Sequence, residues 1–292
     1  MSLPPNITSP PPPVQDTLIT FPRAHVLLVT LNRPKSLNAI PTAQHSALAA
    51  LWNWYDTQPY LRCAILTGSG RAFCAGADLK EWDDRNNNND NNSSTQTASS
   101  SSSSSSSPTL SDGFGGLSNR TGKKPIIAAV NGLCYGGGME MVINCDLVVA
   151  DSQKAKFGLP EVTKGVVALA GALPRLVRTV GKQRASEMAL LGRVGYPAQK
   201  MLEWGLVNFL SEEDNVMGEA VKIAEELAGN SPDAVIVSKE GLRIGWEGLG
   251  PVLGTEIVER GVYGRIDKGE NMREGTRSFV ERRKAVWVDS KL

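Results

Sequence analysis

Between residues 125 and 145 the chain runs from an apolar segment through three adjacent glycines, Gly136-Gly137-Gly138, into a second apolar-rich segment. That junction limits the possible folds sharply. Glycine lets a backbone come close to a neighbour or ligand and aim free N–H groups at it. Residues 126–130 read as a buried strand, and residues 138–144 as a helix. A strand that turns through glycines into a helix presents N–H groups at the helix's positive end, where an oxygen anion is favoured. Glu140 stands one turn into that helix. The stretch predicts an α/β chain with an oxyanion-stabilising backbone beside a general acid or base.

The chain has 292 residues and is 41% apolar, enough for one large domain or two modest ones. A net charge of +1 gives no sign of a nucleic-acid or membrane-surface partner. Cys63, Cys74, Cys134 and Cys145 lack CxxC spacing, so they read as reduced thiols and no metal site is expected. No run approaches the roughly eighteen apolar residues of a membrane span. The Pro-rich start lacks the layout of a signal peptide. The chain finishes Ser290-Lys291-Leu292, which matches the receptor-read peroxisomal address. Peroxisomal localisation, with an import receptor as partner, is the expectation.

Residues 1–15 carry six prolines and are expected to form a disordered arm. Residues 16–210 read as an α/β core and 211–292 as a helical C-terminal region. In the core, Val26–Leu31 and residues 63–67 read as strands. Residues 42–55 read as a helix with Thr42 as its N-cap, and residues 72–79 as a small-residue turn that opens another helix. From residue 86 the chain turns to Asn and Ser, including nine consecutive serines at 99–107, with Ala98 as the sole apolar group over 86–107. Nothing there offsets the entropy of ordering, so a disordered loop insertion over about 86–112 is expected. Residues 147–150 read as a further strand. Helices are expected over 169–180, 182–191 and 198–204, with Gly181 and Gly205 as breaks. Val216, Ala220, Ile223 and Leu227 form a helical stripe. Pro232 suits the first turn of the next helix, capped by Ser231.

Glu161 follows Phe157-Gly158-Leu159-Pro160, 21 residues after Glu140. Two carboxyls brought together can share a water, one as base and the other as proton donor. The turn Ala75-Gly76-Ala77 can supply a second backbone donor, at Ala77, to complete a two-donor oxyanion hole with Gly137. Taken singly, each turn reads better as a tight strand-to-helix connection, and most glutamates are solvated surface charges.

Together these stretches resemble the crotonase, or enoyl-CoA hydratase/isomerase, family from about Val26 to Trp287. The match is carried in order by Leu31-Asn32-Arg33-Pro34 with Leu37-Asn38-Ala39, Ala72-Phe73-Cys74-Ala75-Gly76-Ala77-Asp78-Leu79, Asn131-Gly132 through Gly136-Gly137-Gly138-Met139-Glu140, Phe157-Gly158-Leu159-Pro160-Glu161 and Glu203-Trp204-Gly205-Leu206-Val207. The resemblance implies a ββα superhelix core with a helical trimerisation region, and a homotrimer or hexamer. It implies an acyl-CoA thioester whose oxygen is held by the N–H groups of Ala77 and Gly137. Glu140 and Glu161 would act together on water and a 2-enoyl thioester to give a 3-hydroxyacyl-CoA. No metal or redox cofactor is implied, coenzyme A being part of the substrate. Substrate contacts are implied at Lys35, Leu37, Ala39, Ala75, Asp78 and Leu79. Arg282, Arg283 and Lys284 are candidates for the CoA phosphates, or simply a solvated helix end.

Two departures bear on the acyl pocket. Where many family hydratases have a Gly-rich turn after the second glutamate, this chain reads Val166-Val167-Ala168-Leu169-Ala170-Gly171-Ala172-Leu173. The Asn/Ser insertion falls just after the pocket-lining Asp78-Leu79 stretch. A Δ3-Δ2 enoyl-CoA isomerase is the nearest rival, with a non-catalytic acyl-CoA binder behind it. A serine hydrolase is disfavoured, since His25 and His45 are the sole histidines and no GxSxG occurs. A Rossmann dehydrogenase is disfavoured because no GxGxxG follows a strand.

Overall fold

The computed structural model describes residues 3–79, 81 and 112–292, so nearly all of the expected insertion lies outside the described residues. The strands are β1 (Thr17–Arg23), β2 (Val26–Leu31), β3 (Cys63–Gly68), β4 (Ala72–Cys74), β5 (Ile126–Val130), β6 (Leu133–Tyr135), β7 (Leu147–Asp151), β8 (Lys156–Gly158), β9 (Tyr196–Pro197) and β10 (Phe209–Ser211). They form two sheets. The larger has the order β1-β2-β3-β5-β7-β10 and the smaller β4-β6-β8-β9. Only β1 and β9 run antiparallel to their neighbours among the described strands.

The chain passes repeatedly from the large sheet to the small one, from β3 to β4, β5 to β6 and β7 to β8. Each passage is only two to four residues long. At Gly132 the close approach is severe, because a Cβ there would sit 2.1 Å from the Arg71 carbonyl oxygen. The repeated passage winds the chain into a superhelix whose turns stack in parallel, as the ββα expectation required.

The central strands are mostly apolar because both faces are covered. Along β3, Ala64 and Leu66 point into the main core, while Cys63 and Ile65 point the other way. On β5, Ile126, Ala128 and Val130 alternate with Ile127 and Ala129 in the same manner. The main core also takes Leu48, Leu51, Trp52 and Tyr55 of helix α1 (Thr42–Thr57). The next helix, α2 (Gly137–Ile143), is buried at every residue. Beyond it come α3 (Ala172–Val180), α4 (Lys182–Leu191) and α5 (Ala198–Glu203). Helix α6 (Val216–Ala228) covers the opposite face of the sheet with Val216, Ala220, Ile223 and Ala224.

Helices α7 (Pro232–Trp246), α8 (Pro251–Arg260) and α9 (Glu270–Val280) follow. The Ser231 hydroxyl accepts the Ala234 N–H at 3.5 Å, a long version of the expected cap. Among the described residues no helix is long and apolar enough to cross a membrane.

Several expectations differ from the structure. Thr42 is the first residue of α1 rather than its cap. Pro41 occupies the cap position, and the Thr42 N–H donates to Glu81 Oε2 at 2.9 Å. Helix α3 starts at Ala172, three residues later than expected, because Gly171 has φ 111°. The described part of the Pro-rich arm is not a free tail. Thr8 donates through its N–H and hydroxyl to Gln58 Oε1, Trp54 Nε1 donates to the Ser9 carbonyl, and Val14 is buried. Proline lacks an N–H, so such a segment needs few partners to lie against α1. No strand is expected from sequence at β1, β4, β6, β8, β9 or β10. All of these but β1 are two or three residues long, too short to show a period.

Candidate active site

The glycine run ends β6 and opens α2, and each glycine meets a different constraint. Gly136 has φ 54° and ψ −124°, a conformation side chains disfavour. A Cβ on it would also lie 3.1 Å from Glu161 Oε1. A Cβ on Gly137 would fall 2.4 Å from the Phe114 ring, and one on Gly138 would fall 2.3 Å from the Cys74 carbonyl oxygen. The run is thus packed at once against Glu161, Phe114 and β4.

The 75–77 turn lies alongside. A Cβ on Gly76 would come 3.1 Å from the Gly137 nitrogen. Ala77 forms a parallel bridge with Ile40, made by Ile40 N–H to the Gly76 carbonyl (2.9 Å) and Asp78 N–H to the Ile40 carbonyl (3.3 Å). Alternation along an extended chain then turns the Ala77 N–H away from Ile40. Among the described residues neither the Ala77 nor the Gly137 N–H has a backbone acceptor. Ala77 and Gly137 therefore stand on adjoining backbones with donors left for another acceptor.

Glu140 is buried on α2, 4% exposed. Its Oε1 accepts the N–H groups of Ala170 (2.9 Å) and Ala172 (3.4 Å). Burial pushes its carboxyl up to about 7, against those two N–H bonds, and the charge of Glu161 adds to the rise. Glu161 opens a short 3-10 turn, Glu161–Lys164, straight after β8. Burial raises its carboxyl too. Its Oε2 is buried with no hydrogen-bond partner among the described residues. A buried carboxylate oxygen without a partner is costly, and suits a site that receives a polar ligand atom. The structure thus brings Glu140, Glu161, Gly137 and Ala77 into one place.

Of the other implied residues, several are tied to the 75–78 turn. Leu37 and Asn38 both have left-handed φ, 51° and 56°. The Asn38 side chain holds that strained turn, accepting the Arg33 N–H and donating to the carbonyls of Ser69 and Ala72. The Leu37 carbonyl accepts the Ala75 N–H at 3.0 Å, so the Lys35–Ala39 region and the oxyanion turn are directly joined. Arg33 donates to the Ala39 carbonyl and pairs with Asp78 at 3.0 Å. Asp78 thus serves as an ion-pair partner that fixes the turn. Lys35 and Leu79 are exposed. Arg283 is engaged by Glu274 and Glu281, which matches the reading of residues 282–284 as a helix end.

Sequence reasoning missed Phe114, whose ring lies on Gly137, and the turn at 170–172 that grips Glu140. Both are distant in sequence from the residues they touch, and neither carries a local signature. His45 backs Phe114 edge-on at 4.6 Å, and its Nδ1 accepts the Gly115 N–H. Burial pushes the imidazole down to about 4, so it stays neutral as a packing element. Among the described residues no cluster of His, Cys, Asp and Glu could hold a metal ion.

Comparison with known proteins fits this geometry. The family model described as enoyl-CoA hydratase/isomerase matches residues 22–290. The mevalonyl-coenzyme A hydratase of Beauveria bassiana is 57% identical over 98% of this chain and 99% of its own. That of Aspergillus fumigatus is 49% identical over 96% and 98%. Among solved structures, an enoyl-CoA hydratase from Mycobacterium tuberculosis superposes with a TM-score of 0.79 at 32% identity, covering 94% of this chain and 99% of that one. Alike in sequence along nearly its whole length and alike in fold, the chain belongs to the enoyl-CoA hydratase/isomerase family.

Proposed function

We propose that this enzyme is a hydratase that interconverts mevalonyl-CoA and its dehydrated 2-enoyl thioester. The single observation that carries the hydratase reading is the pairing of Glu140, buried, and Glu161, half-buried with its Oε2 enclosed, both raised, beside the Gly136–Gly137 backbone. The substrate rests on the two fungal relatives named for it.

In the hydration direction, the thioester oxygen accepts from Ala77 and Gly137, which draws electrons from the alkene and makes C3 electrophilic. A water held by the two glutamates adds its oxygen to C3 as it gives a proton to the ionised one, and the negative charge collects on the thioester oxygen. Preorganised donors meeting that charge are each worth on the order of 3 kcal/mol. A protonated carboxyl then delivers a proton to C2. Dehydration runs the same steps backwards, with one glutamate removing the C2 proton and the other protonating the leaving hydroxyl. A carboxyl near 7 can both give and take a proton at neutral pH. Gain or loss of water leaves the substrate's overall oxidation state unchanged, so the proposed reaction draws on no redox cofactor.

The Ser290-Lys291-Leu292 ending supports peroxisomal delivery as part of the same proposal. In the fold Ser290 is buried and donates to Asp233 Oδ1, while Lys123 Nζ donates to the Leu292 carbonyl oxygen. Receptor access then requires the last residues to lift from the body.

The test is a panel of mevalonyl-CoA, an unbranched 2-enoyl-CoA and a 3-enoyl-CoA. Water loss from mevalonyl-CoA is expected to be the fastest reaction. Failure with mevalonyl-CoA alone removes the substrate and leaves the class. Failure to hydrate any 2-enoyl thioester, with turnover of the 3-enoyl one, replaces hydration by isomerisation. Glu140→Gln and Glu161→Gln should each lower kcat by about 100-fold or more; full activity in either removes that residue from the mechanism.

A further inference from the structure

The Glu140 carboxylate is held from outside its own helix. Both N–H groups on its Oε1 come from the junction where an irregular turn opens α3, Ala170 in the turn and Ala172 as the first residue of the helix. The peptide between those two donating units is the one linking Ala170 and Gly171. Gly171 has φ 111° and no side chain to restrain it, so this turn needs an external hold. Residues 118 and 119 supply it. Ser118 Oγ accepts the Phe114 N–H and donates to the Ala170 carbonyl, both at 2.6 Å. Asn119 Oδ1 accepts from Arg175 Nη1 at 2.6 Å, and Arg175 Nη1 also donates to the Gly171 carbonyl at 3.2 Å. Ser118 is fully buried, and a Cβ on Gly113 would lie 2.3 Å from its Oγ. The hydroxyl has little room to turn elsewhere.

We propose that Ser118 is a positioning residue for the acid–base carboxyl: its hydroxyl pins the Ala170 carbonyl and thereby aims the Ala170 and Ala172 N–H groups at Glu140. The proposal rests on the reading of Glu140 as an acid–base group. It makes residues 113–119 part of the catalytic apparatus through one hydroxyl, since Ser118 touches Phe114 on one side and the carboxylate's donors on the other. Phe114 in turn lies on the Gly137 backbone. A single buried side chain so joins the oxyanion donor and the carboxyl.

The consequence is a shift in proton affinity. The two N–H bonds favour the ionised carboxylate and hold its pKa down against burial. Loosening them raises it. The elements packed against α2 carry few other groups that titrate near neutrality. Cys74 of β4 and Cys134 of β6 are pushed far up by burial, Tyr135 of β6 is raised by burial, Arg175 of α3 is drawn down by burial, and Arg178 is the other basic side chain of that helix. Glu161 is the charged group that acts on Glu140.

The test is the pH dependence of kcat/KM in the full-length enzyme carrying Ser118→Ala, with Ser118→Cys as the conservative partner that keeps a weak donor. An infrared difference titration, with Glu140→Gln as the blank, follows the Glu140 carboxyl directly. Ser118→Ala should move the acid limb and the infrared midpoint upward by about one unit and lower kcat/KM at neutral pH about tenfold, with Ser118→Cys in between. If Ser118→Ala does not accumulate as folded protein, Ser118→Cys carries the same test. An acid limb and midpoint that coincide with wild type overturn the proposal, as does a fall in activity that is equal at every pH. Full activity in Glu140→Gln would instead defeat the acid–base reading, and the infrared midpoint would still report on the positioning.

Discussion

A methyl group added to Gly138 and one added to Gly241 should have opposite effects, and the contrast separates two regions of this molecule. Gly138 sits in α2, between β4 and the core, where its Cβ would strike the Cys74 backbone at 2.3 Å. Gly241 sits mid-helix in α7, where the nearest atom, Val258 Cγ2, would be 3.8 Å away, an ordinary contact. In the core, backbones touch because that is how the two donors and the two glutamates are brought together. In the C-terminal helices Gly241 has room for a methyl group, and large apolar groups are left in the open. Leu242, Val252, Phe279 and Val280 are 76%, 85%, 85% and 79% exposed. The first region is close-packed around the candidate site; the second leaves apolar surface exposed on the single chain. A homotrimer or hexamer, which the family resemblance implied, would account for that surface.

The largest expected effect is at Gly138→Ala. Its neighbour is a carbonyl in a strand, so backbone must move, at a cost of roughly 3 kcal/mol. Activity should fall about 100-fold or more, because Gly137 and Glu140 lie on the same short helix. Chemical denaturation and turnover with a 2-enoyl thioester check both, and a stable, active variant would show that the close packing is dispensable.

Next is the stability of Glu140→Gln. The Glu140 carboxyl holds its proton more tightly in the folded chain, since burial raises it from the usual 4.5 to about 7. The stability this confers is complete below about 4.5 and is lost as pH rises through 7. The inactive variant should therefore gain on wild type between pH 4.5 and pH 8, by ~3 kcal/mol at the upper end. Melting curves at several pH values decide this. A constant difference would mean that the carboxyl is not strained by burial.

Gly241→Ala should stabilise by about 0.5–1 kcal/mol through helix propensity, with turnover unchanged. A loss of stability there would erase the contrast with Gly138. Smallest in its effect on folding is Val252→Glu combined with Phe279→Glu. Each should change monomer stability by no more than about 0.5 kcal/mol. Light scattering should nevertheless show a smaller particle than wild type. An unchanged mass would mean that these side chains cover no copy of the chain.

Much of the core was legible because its signals are local. Strands β2, β3, β5 and β7 carry apolar runs bounded by turn residues, and α4, α5 and α6 keep their expected places to within a residue or so. Glu140, Glu161, Ala77 and Gly137 could be proposed because each stands beside a glycine or proline turn, and because those turns occur together in the family's order; none of them is decisive singly. The short strands of the second sheet were not legible, since their pairing depends on what lies across a superhelical turn. Ser118, Phe114 and Ala170 were hidden for the same reason. A serine, a phenylalanine and an alanine in ordinary surroundings say nothing about a carboxylate met elsewhere in the fold.

The amino-acid sequence by itself determined that a glycine run would link a strand to a helix bearing a carboxyl, and that a second carboxyl and a second small-residue turn were available. Those are properties of covalent geometry and of neighbours along the chain. Only the tertiary structure decided that the Gly136 backbone would lie against Glu161, that the Gly76 turn would lie against Gly137, and that Glu140 would take its donors from residues 170 and 172. Those contacts join segments separated by up to about sixty residues. Burial raises both carboxyls, and burial exists only once the sheets, α2 and the 170–172 turn have closed around them.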